Sequence, residues 1–281
     1  MAKTSIIRSV YADRFLYHLD NMLLFNALCN TDFQGDPAGG SVIINSMTDP
    51  SVSTYAGTAT VADLVTTSQT LSIDKAKYFA VLCDDWDKVR TNLNLVEESA
   101  KRGAYALANS VDGIIASMSY NEGTAVAFGA LGAWGSPYVP TGSTGAGSSY
   151  DMVVDLNVAL SNAGAPQDNR FCVLPAFAIA NISKDSRILT NNPVILANGL
   201  VQGVNVNGMQ IYHSNNLLTS GSTSYCVIAG QGNAMAFVGA VKELETFRSP
   251  TSFGDVVRGL YGFGFCVTQD TSVATVVIKA T

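Results

Sequence analysis

The apolar positions of the chain change their spacing several times, and each change marks a candidate element. Between residues 13 and 29, Phe15, Leu16, Leu19, Met22, Leu23 and Leu28 fall on one stripe of a helix. A polar, glycine-bearing break follows over 31–40. From 41 to 80 the texture is that of strands and a hairpin. Val42, Ile43, Ile44, Val52, Tyr55, Val61, Val65, Leu71, Ile73, Tyr78 and Phe79 are interleaved there with Ser and Thr, with turns expected at Asp49-Pro50 and Ala56-Gly57. Large apolar residues are too sparse in this region for a core of its own, so it is expected to lie along something else.

The clearest pattern runs over residues 84–119. Trp86, Val89, Leu93, Val96, Ala100, Gly103, Leu107, Val111, Ile114 and Met118 step by three or four throughout, which predicts one long helix packed along one side. Asp84, Asp85 and Asp87 suit its N-terminal end, where carboxylates meet free N–H groups and the positive end of the dipole. A second helix is expected over about 149–162. Ser148 and Asp151 have capping-box spacing, the apolar face is Met152, Val153, Leu156, Ala159 and Leu160, and Gly164 and Pro166 end it. The stretch 123–150 between them reads as loop or short strands, with a flexible connection near 141–148. Further strands are expected over 170–174 (stopped by Pro175), 204–212, 225–229, 234–241, 253–261, 262–268 and 273–278, with a partly helical stretch at 176–189. The segments 262–268 and 273–278 read as a pair.

Composition narrows the classes. The 281 residues allow one large or two small domains at roughly 150 residues each. Charged residues are 14% of the chain, against about 25% in typical soluble domains, which disfavours a solitary monomer. The net charge of −6, with no Lys/Arg run, is a poor footprint for a dedicated nucleic-acid binder. No run of 18 apolar residues predicts a membrane span, and residues 1–12 do not have the pattern of a signal peptide. Neighbouring cysteines, among Cys29, Cys83, Cys172, Cys226 and Cys266, are at least 40 residues apart, so they read as reduced, buried small hydrophobes. Such thiols fit a reducing cytoplasm.

Candidate chemistry is thin. His18 and His213 are the two histidines, and neither has a metal-ligand neighbour in sequence. Residues 142–149 are glycine-rich without the ending of a phosphate loop. Ser72-Ile73-Asp74-Lys75 matches S-x-x-K without its partner motifs, and no G-x-S-x-G elbow precedes a helix. From residue 188 to 241 the chain has no Asp, Glu, Lys or Arg. That fits either a lobe surrounded by copies of itself or a well-hydrated, uncharged β domain.

The order of parts resembles the major capsid proteins of tailed bacteriophages with the Hong Kong 97-type fold. The segment Ala159-Leu160-Ser161-Asn162-Ala163-Gly164-Ala165-Pro166, followed by Arg170-Phe171-Cys172-Val173-Leu174-Pro175, is similar to the helix-turn-strand of that family's axial domain. Residues 201–217, with Val204-Asn205-Val206-Asn207-Gly208 and the trailing Ser214-Asn215, resemble its strand-turn-strand. Glu245-Thr246-Phe247-Arg248-Ser249-Pro250, Phe253-Gly254-Asp255 and Tyr261-Gly262 resemble its return to the peripheral domain.

The resemblance spans nearly the whole chain and implies an α+β fold. Residues 1–34 would be an N-terminal arm, 35–83 an extended β-loop and 84–122 the spine helix of a peripheral domain. Residues 123–244 would form a mixed α/β axial domain, and 245–281 the return to the peripheral domain. The uncharged stretch would then crowd around a capsomer axis. The implied function is self-assembly, as hexamers and pentamers, into the icosahedral shell of a double-stranded DNA phage, with arm and loop lying over neighbouring subunits. Scaffolding, portal and decoration proteins are implied partners, packaged DNA lies near the shell without specific contact, and no membrane is involved.

The implied location is the virion, assembled in the host cytoplasm. No catalytic residue, metal or cofactor is expected. Candidate subunit contacts are Phe15, Tyr55, Trp86, Arg90, Arg102, Asn205, Asn207, His213, Arg248 and Asp255. Some relatives crosslink through a loop lysine. Here no Lys lies between Gly35 and Asp74, and Lys75 and Lys77 stand at the loop's base, so crosslinking is not expected. Nor is a cleaved scaffolding segment, since Met1 leads almost directly into the arm. Two other readings stay open: a bacterial nanocompartment shell (encapsulin-like) of the same fold, and a serine hydrolase with His213 as base.

Overall fold

The computed structural model describes residues 24–32, 40–47, 50, 52, 54, 63, 65–90, 95–126, 132–140, 147–185, 205–221 and 223–280. The helix expected before Leu24, both loop turns apart from Pro50, the connection at 141–146 and residues 186–204 lie outside them.

One helix organises the rest. α3 (Leu95–Glu122) is 28 residues, about 42 Å long. Glu97 and Glu98 in its first turn favour the dipole and pair with Lys101 (3.5 Å) and Arg102 (3.2 Å) one turn on. Its buried face is rich in small residues, with Ala100, Gly103, Ala104, Ala108 and Ala116 beside Leu107, Val111 and Ile115. Small side chains let two sheets approach the helix closely, one from each side.

The first sheet is three-stranded, in the order β10 (Met235–Arg248), β11 (Gly254–Val267), β3 (Lys75–Asp84), all antiparallel. β10 carries a bulge between Val241 and Glu243. Alternation along β11 sends Tyr261, Phe263, Phe265 and Val267 toward α3, together with Met235 and Phe237 of β10. Phe79 of β3 is wedged between two glycines. It pairs in register with Gly259, where an added Cβ would stand 2.6 Å from the ring, and on its other side the ring occupies the space a Cβ at Gly103 of α3 would need.

The opposite face of this sheet receives the ribbon β1 (Ser41–Met47)–β2 (Thr66–Ser72), paired antiparallel from Ser41↔Ser72 to Met47↔Thr66. Among the described residues its root docks. Leu71, with Val42, Ile44 and Ile73 beside it, packs on Ala236, Val238 and Cys266. Gln69 Nε2 donates to the Val267 carbonyl at 2.8 Å, and the Ser72 carbonyl lies 2.5 Å from where a Gly264 Cβ would be. The expectation that this region leans on another element holds.

The second sheet is mixed, in the order β4 (Thr124–Ala125), β12 (Val273–Lys279), β9 (Ser224–Gln231), β5 (Arg170–Leu174), β7 (Met209–His213), β6 (Asn205–Val206), with β8 (Thr219–Ser220) on β9. β5 is buried on both faces. Phe171 and Val173 join the α3 core, while Cys172 and Leu174 face a second core under α4 (Ser149–Asn162) and α5 (Ala176–Ser183). α4 has the expected bounds and cap, with Ser148 Oγ accepting from the Asp151 amide at 3.1 Å. Asn207 (φ 50°) and Gly208 (φ 85°) make the two-residue turn between β6 and β7, left-handed at both positions as such hairpins require.

Arg170 ties this lobe together. It is buried, and its guanidinium donates to the carbonyls of Pro166 (2.8 Å), Ala165 (2.6 Å) and Asn157 (3.2 Å), to Ser161 Oγ (2.8 Å) and to Asn157 Oδ1. A cation at the C-terminal end of α4 also meets the negative end of its dipole. All five cysteines are buried and unbridged, and burial pushes the Cys172 and Cys226 thiols up to about 12.

Three expectations are corrected. The long helix does not begin at Asp84: β3 runs to that residue, a short α2 (Asp85–Arg90) follows, and α3 starts at Leu95. Trp86 and Val89 shared the helical spacing but are exposed. In the last turns the buried positions are Ile115, Ala116 and Ser119, with Ile114 and Met118 at the margin, because a straight helix at 3.6 residues per turn drifts off a 3.5-residue stripe. Finally, β11 is one strand of 14 residues, and it does not pair with β12. The 3₁₀ turn Asp270–Ser272 carries the chain from one sheet to the other.

Replacing Gly259 or Gly103 by Val should cost about 1–3 kcal/mol each by overpacking around Phe79, measured by urea unfolding. Arg170→Met should cost about 3 kcal/mol, since several buried acceptors lose their donor together.

Candidate subunit interface

The sheet β10–β11–β3 has one face under α3 and an opposite face only partly covered by the ribbon root. On the uncovered end, Tyr78 and Leu82 of β3, Leu260 of β11 and Phe247 of β10 are 76, 47, 39 and 37% exposed. Arg258 lies among them, 4.9 Å over the Phe247 ring and paired with Glu245. The ribbon carries the matching feature: Ile43 is exposed on the far side of the root, and Met47 and Val65 are exposed farther along. Exposed apolar area on both a bare sheet end and a projecting ribbon marks interaction surface.

A second patch stands at the tip where α2 meets the β10–β11 turn. The Asp85 amide donates to the Phe253 carbonyl at 3.0 Å, which places exposed Trp86 and Val89 beside exposed Phe253. Asp84 Oδ1 accepts from the Trp86 amide at 3.0 Å, the expected helix-cap role. Beneath the aromatics lies a four-membered ion cluster. Lys88 bonds Asp255 and, at 3.2 Å, Asp85; Arg248 bonds Asp85 and reaches Asp255 at 3.7 Å. Bonds from Arg248 and then Lys88 hold the Asp85 carboxyl below its usual range, and Asp85 in turn raises Arg248. For Lys88, burial opposes the charge while bonds to Asp255 and Asp85 raise its pKa.

The sequence-derived contact residues separate into groups. Arg248 and Asp255 meet in the ion cluster, with Trp86 beside it and Arg90 exposed at the end of the same helix. Arg102 is exposed on α3 and pairs with Glu98. Asn205 and Asn207 are exposed on the β6–β7 hairpin of the other sheet, where the Asn207 carbonyl accepts from Asn157 Nδ2 at 2.6 Å. His213 ends β7, and among the described residues its buried Nε2 has no hydrogen-bond partner. Phe15, Tyr55 and His18 lie outside the described residues.

Tyr78, Leu82, Phe247, Leu260 and Phe253 were missed. The signal was present: β3 reads Lys-Ala-Lys-Tyr-Phe-Ala-Val-Leu-Cys-Asp, apolar on both faces, although the chain offers one long helix to cover one of them. Among the described residues no group of three or more His, Cys, Asp or Glu could hold a metal ion, and no helix is long and apolar enough to cross a membrane.

No family model matches the chain, and no curated protein matches it in sequence. Solved structures do match. A structure from Mycobacterium phage Che8 is 27% identical over 90% of each chain, with a TM-score of 0.75. The capsid of cyanophage P-SCSP1u is 16% identical over 92% of this chain and 88% of that one, with a TM-score of 0.68. A virus-like particle from Pyrococcus furiosus is 11% identical over 97% and 98%, with a TM-score of 0.58.

The chain has a phage-capsid fold.

Asp85→Asn should lower stability at pH 7. Because the folded-state pKa is depressed, the difference from the parent chain should shrink as the pH falls below the ordinary value of 3.8 and the carboxyl protonates, and high salt should weaken it at any pH. Thermal melts at several pH values and salt concentrations measure it.

Proposed function

We propose that this chain is the major capsid protein of a tailed double-stranded DNA bacteriophage, forming hexamers and pentamers that close an icosahedral shell. The observation that carries this reading is the match to the Che8 structure, which runs through nine-tenths of both chains. The surface supports it: a sheet end left bare and a ribbon with Ile43, Met47 and Val65 exposed are complementary within a set of identical copies, and such head-to-tail contacts close into rings.

Residues 1–34 act as the arm, 35–83 as the extended loop and 84–122 with 245–281 as the peripheral domain, while 123–244 form the axial domain. The ribbon of one copy covers the Tyr78–Leu260–Phe247 patch of the next. The uncharged lobe is the face that crowds against siblings around a capsomer axis. Scaffolding, portal and decoration proteins join the assembly, which takes place in the host cytoplasm, and the product resides in the virion.

The role is structural, and no catalytic step is assigned. An acidic chain coats packaged DNA without gripping it, since gripping takes clustered Lys and Arg. Covalent crosslinking through the loop is not part of the reading, since no Lys lies between Gly35 and Asp74 and Lys75 is paired with Asp74. The nanocompartment alternative is not favoured: the match with 27% identity and a TM-score of 0.75 is to a phage structure.

Electron microscopy of the purified chain, alone and co-expressed with its phage's scaffold, should show closed shells of uniform diameter. Monomers under both conditions would overturn the reading. Met47→Asp and Leu260→Asp should leave subunits folded while cutting shell yield at least about tenfold, because about 1.4 kcal/mol lost per contact is a factor of ten at every copy.

A further inference from the structure

Asp112 lies in the middle of α3 and is buried, an unusual place for a carboxylate. No cation faces it. Its Oδ2 accepts from the Leu24 amide at 3.2 Å and its Oδ1 from the Phe25 amide at 3.5 Å. These are the first two residues of α1 (Leu24–Leu28), whose Phe25 and Leu28 insert into the α3 core. The carboxylate therefore fastens the root of the N-terminal segment to the central helix.

The site borders a cavity of about 240 Å³ lined by Leu24, by Tyr105, Ala108 and Asn109 of α3, and by the loop from His213 to Asn216. Among the described residues, the titratable groups that share this cavity with Asp112 are Tyr105 on its own helix and His213 at the end of β7, and Cys29 just past α1 has its thiol raised first by burial and then by the Asp112 charge. Among the described lining residues there is no Lys, Arg or second carboxylate.

We infer that Asp112 and the two amides it holds form a pH-responsive latch that fastens the arm root to α3 more tightly in mild acid than at neutral pH. Two N–H bonds stabilise the ionised form, but removal from water without a countercharge costs more. Burial thus pushes the carboxyl up to about 6, against an ordinary 3.8, with the two backbone hydrogen bonds opposing. The docked state then binds the proton more tightly than the undocked one, so the penalty on docking is present above about pH 6 and is relieved as the pH falls toward 4. The protonated carboxyl keeps a carbonyl oxygen to accept from the amides. The latch stands on contacts within one chain and does not depend on the shell reading. Within a shell it would set how firmly the arm is held when neighbours meet.

Hydrogen exchange by mass spectrometry on the full-length chain, held in one assembly state and corrected for the intrinsic pH dependence of exchange, tests it. Protection of residues 24–30 should rise about tenfold between pH 7.5 and pH 5, the factor that values of about 6 and 3.8 give, while peptides from β5 stay level. Asp112→Asn keeps an acceptor for the amides and should make residues 24–30 equally protected at both pH values. His213→Gln should retain the rise. A level profile in the parent chain overturns the latch without any variant having to fold. Persistence of the rise in Asp112→Asn, or its loss in His213→Gln, also overturns it by moving the titration elsewhere.

Discussion

A β-sheet has two faces to bury, and the three strands β10, β11 and β3 have one long helix between them. α3 covers most of one face. The other is covered only where the ribbon root lays Leu71 on Ala236 and Val238, and beyond that point Tyr78, Leu82, Leu260 and Phe247 face outward. Burial of apolar area is the main favourable term in both folding and association. A chain that leaves such a surface unfilled, and projects a ribbon with Ile43 and Met47 exposed, has its remaining apolar contacts available to another molecule.

The same helix explains how the two sheets share one core. α3 is shared by both sheets, so the core containing Phe263 and Phe237 is continuous with the one containing Phe171 and Ile228. Glycine at 103 and 259 lets the Phe79 ring be gripped between helix and strand. In the second lobe, the buried Arg170 satisfies carbonyls that the end of α4 and the following turn would otherwise leave without donors. Charges placed at such joints are few and specific, which is how a chain with 14% charged residues stays ordered internally while keeping much of its outside neutral.

Legibility in the sequence followed locality. α4 was readable because its signals are within one turn of its ends: Ser148 at the cap, Gly164 and Pro166 after it. Strand β5 and the Asn207-Gly208 turn were readable for the same reason. The start of the spine helix was not, because Trp86 and Val89 happen to keep helical phase with Val96 and Ala100 across a strand end and a short separate helix. The separation of β11 from β12 was hidden too, since a short turn after a strand looks alike whether the chain reverses into the same sheet or crosses to another. Of the candidate contacts, charged residues with long-range partners, Arg248 and Asp255, were found together. The apolar ones on the bare sheet end were not, because an outward-facing Leu260 looks like a core residue until the layer count is known.

The central claim is that the bare sheet end is covered by a sibling. All five native cysteines are buried, so a thiol introduced at position 260 is a clean reporter. Maleimide labelling of Leu260→Cys should be fast on dissociated subunits and strongly suppressed in assembled particles. Equal labelling rates in the two states would contradict the account.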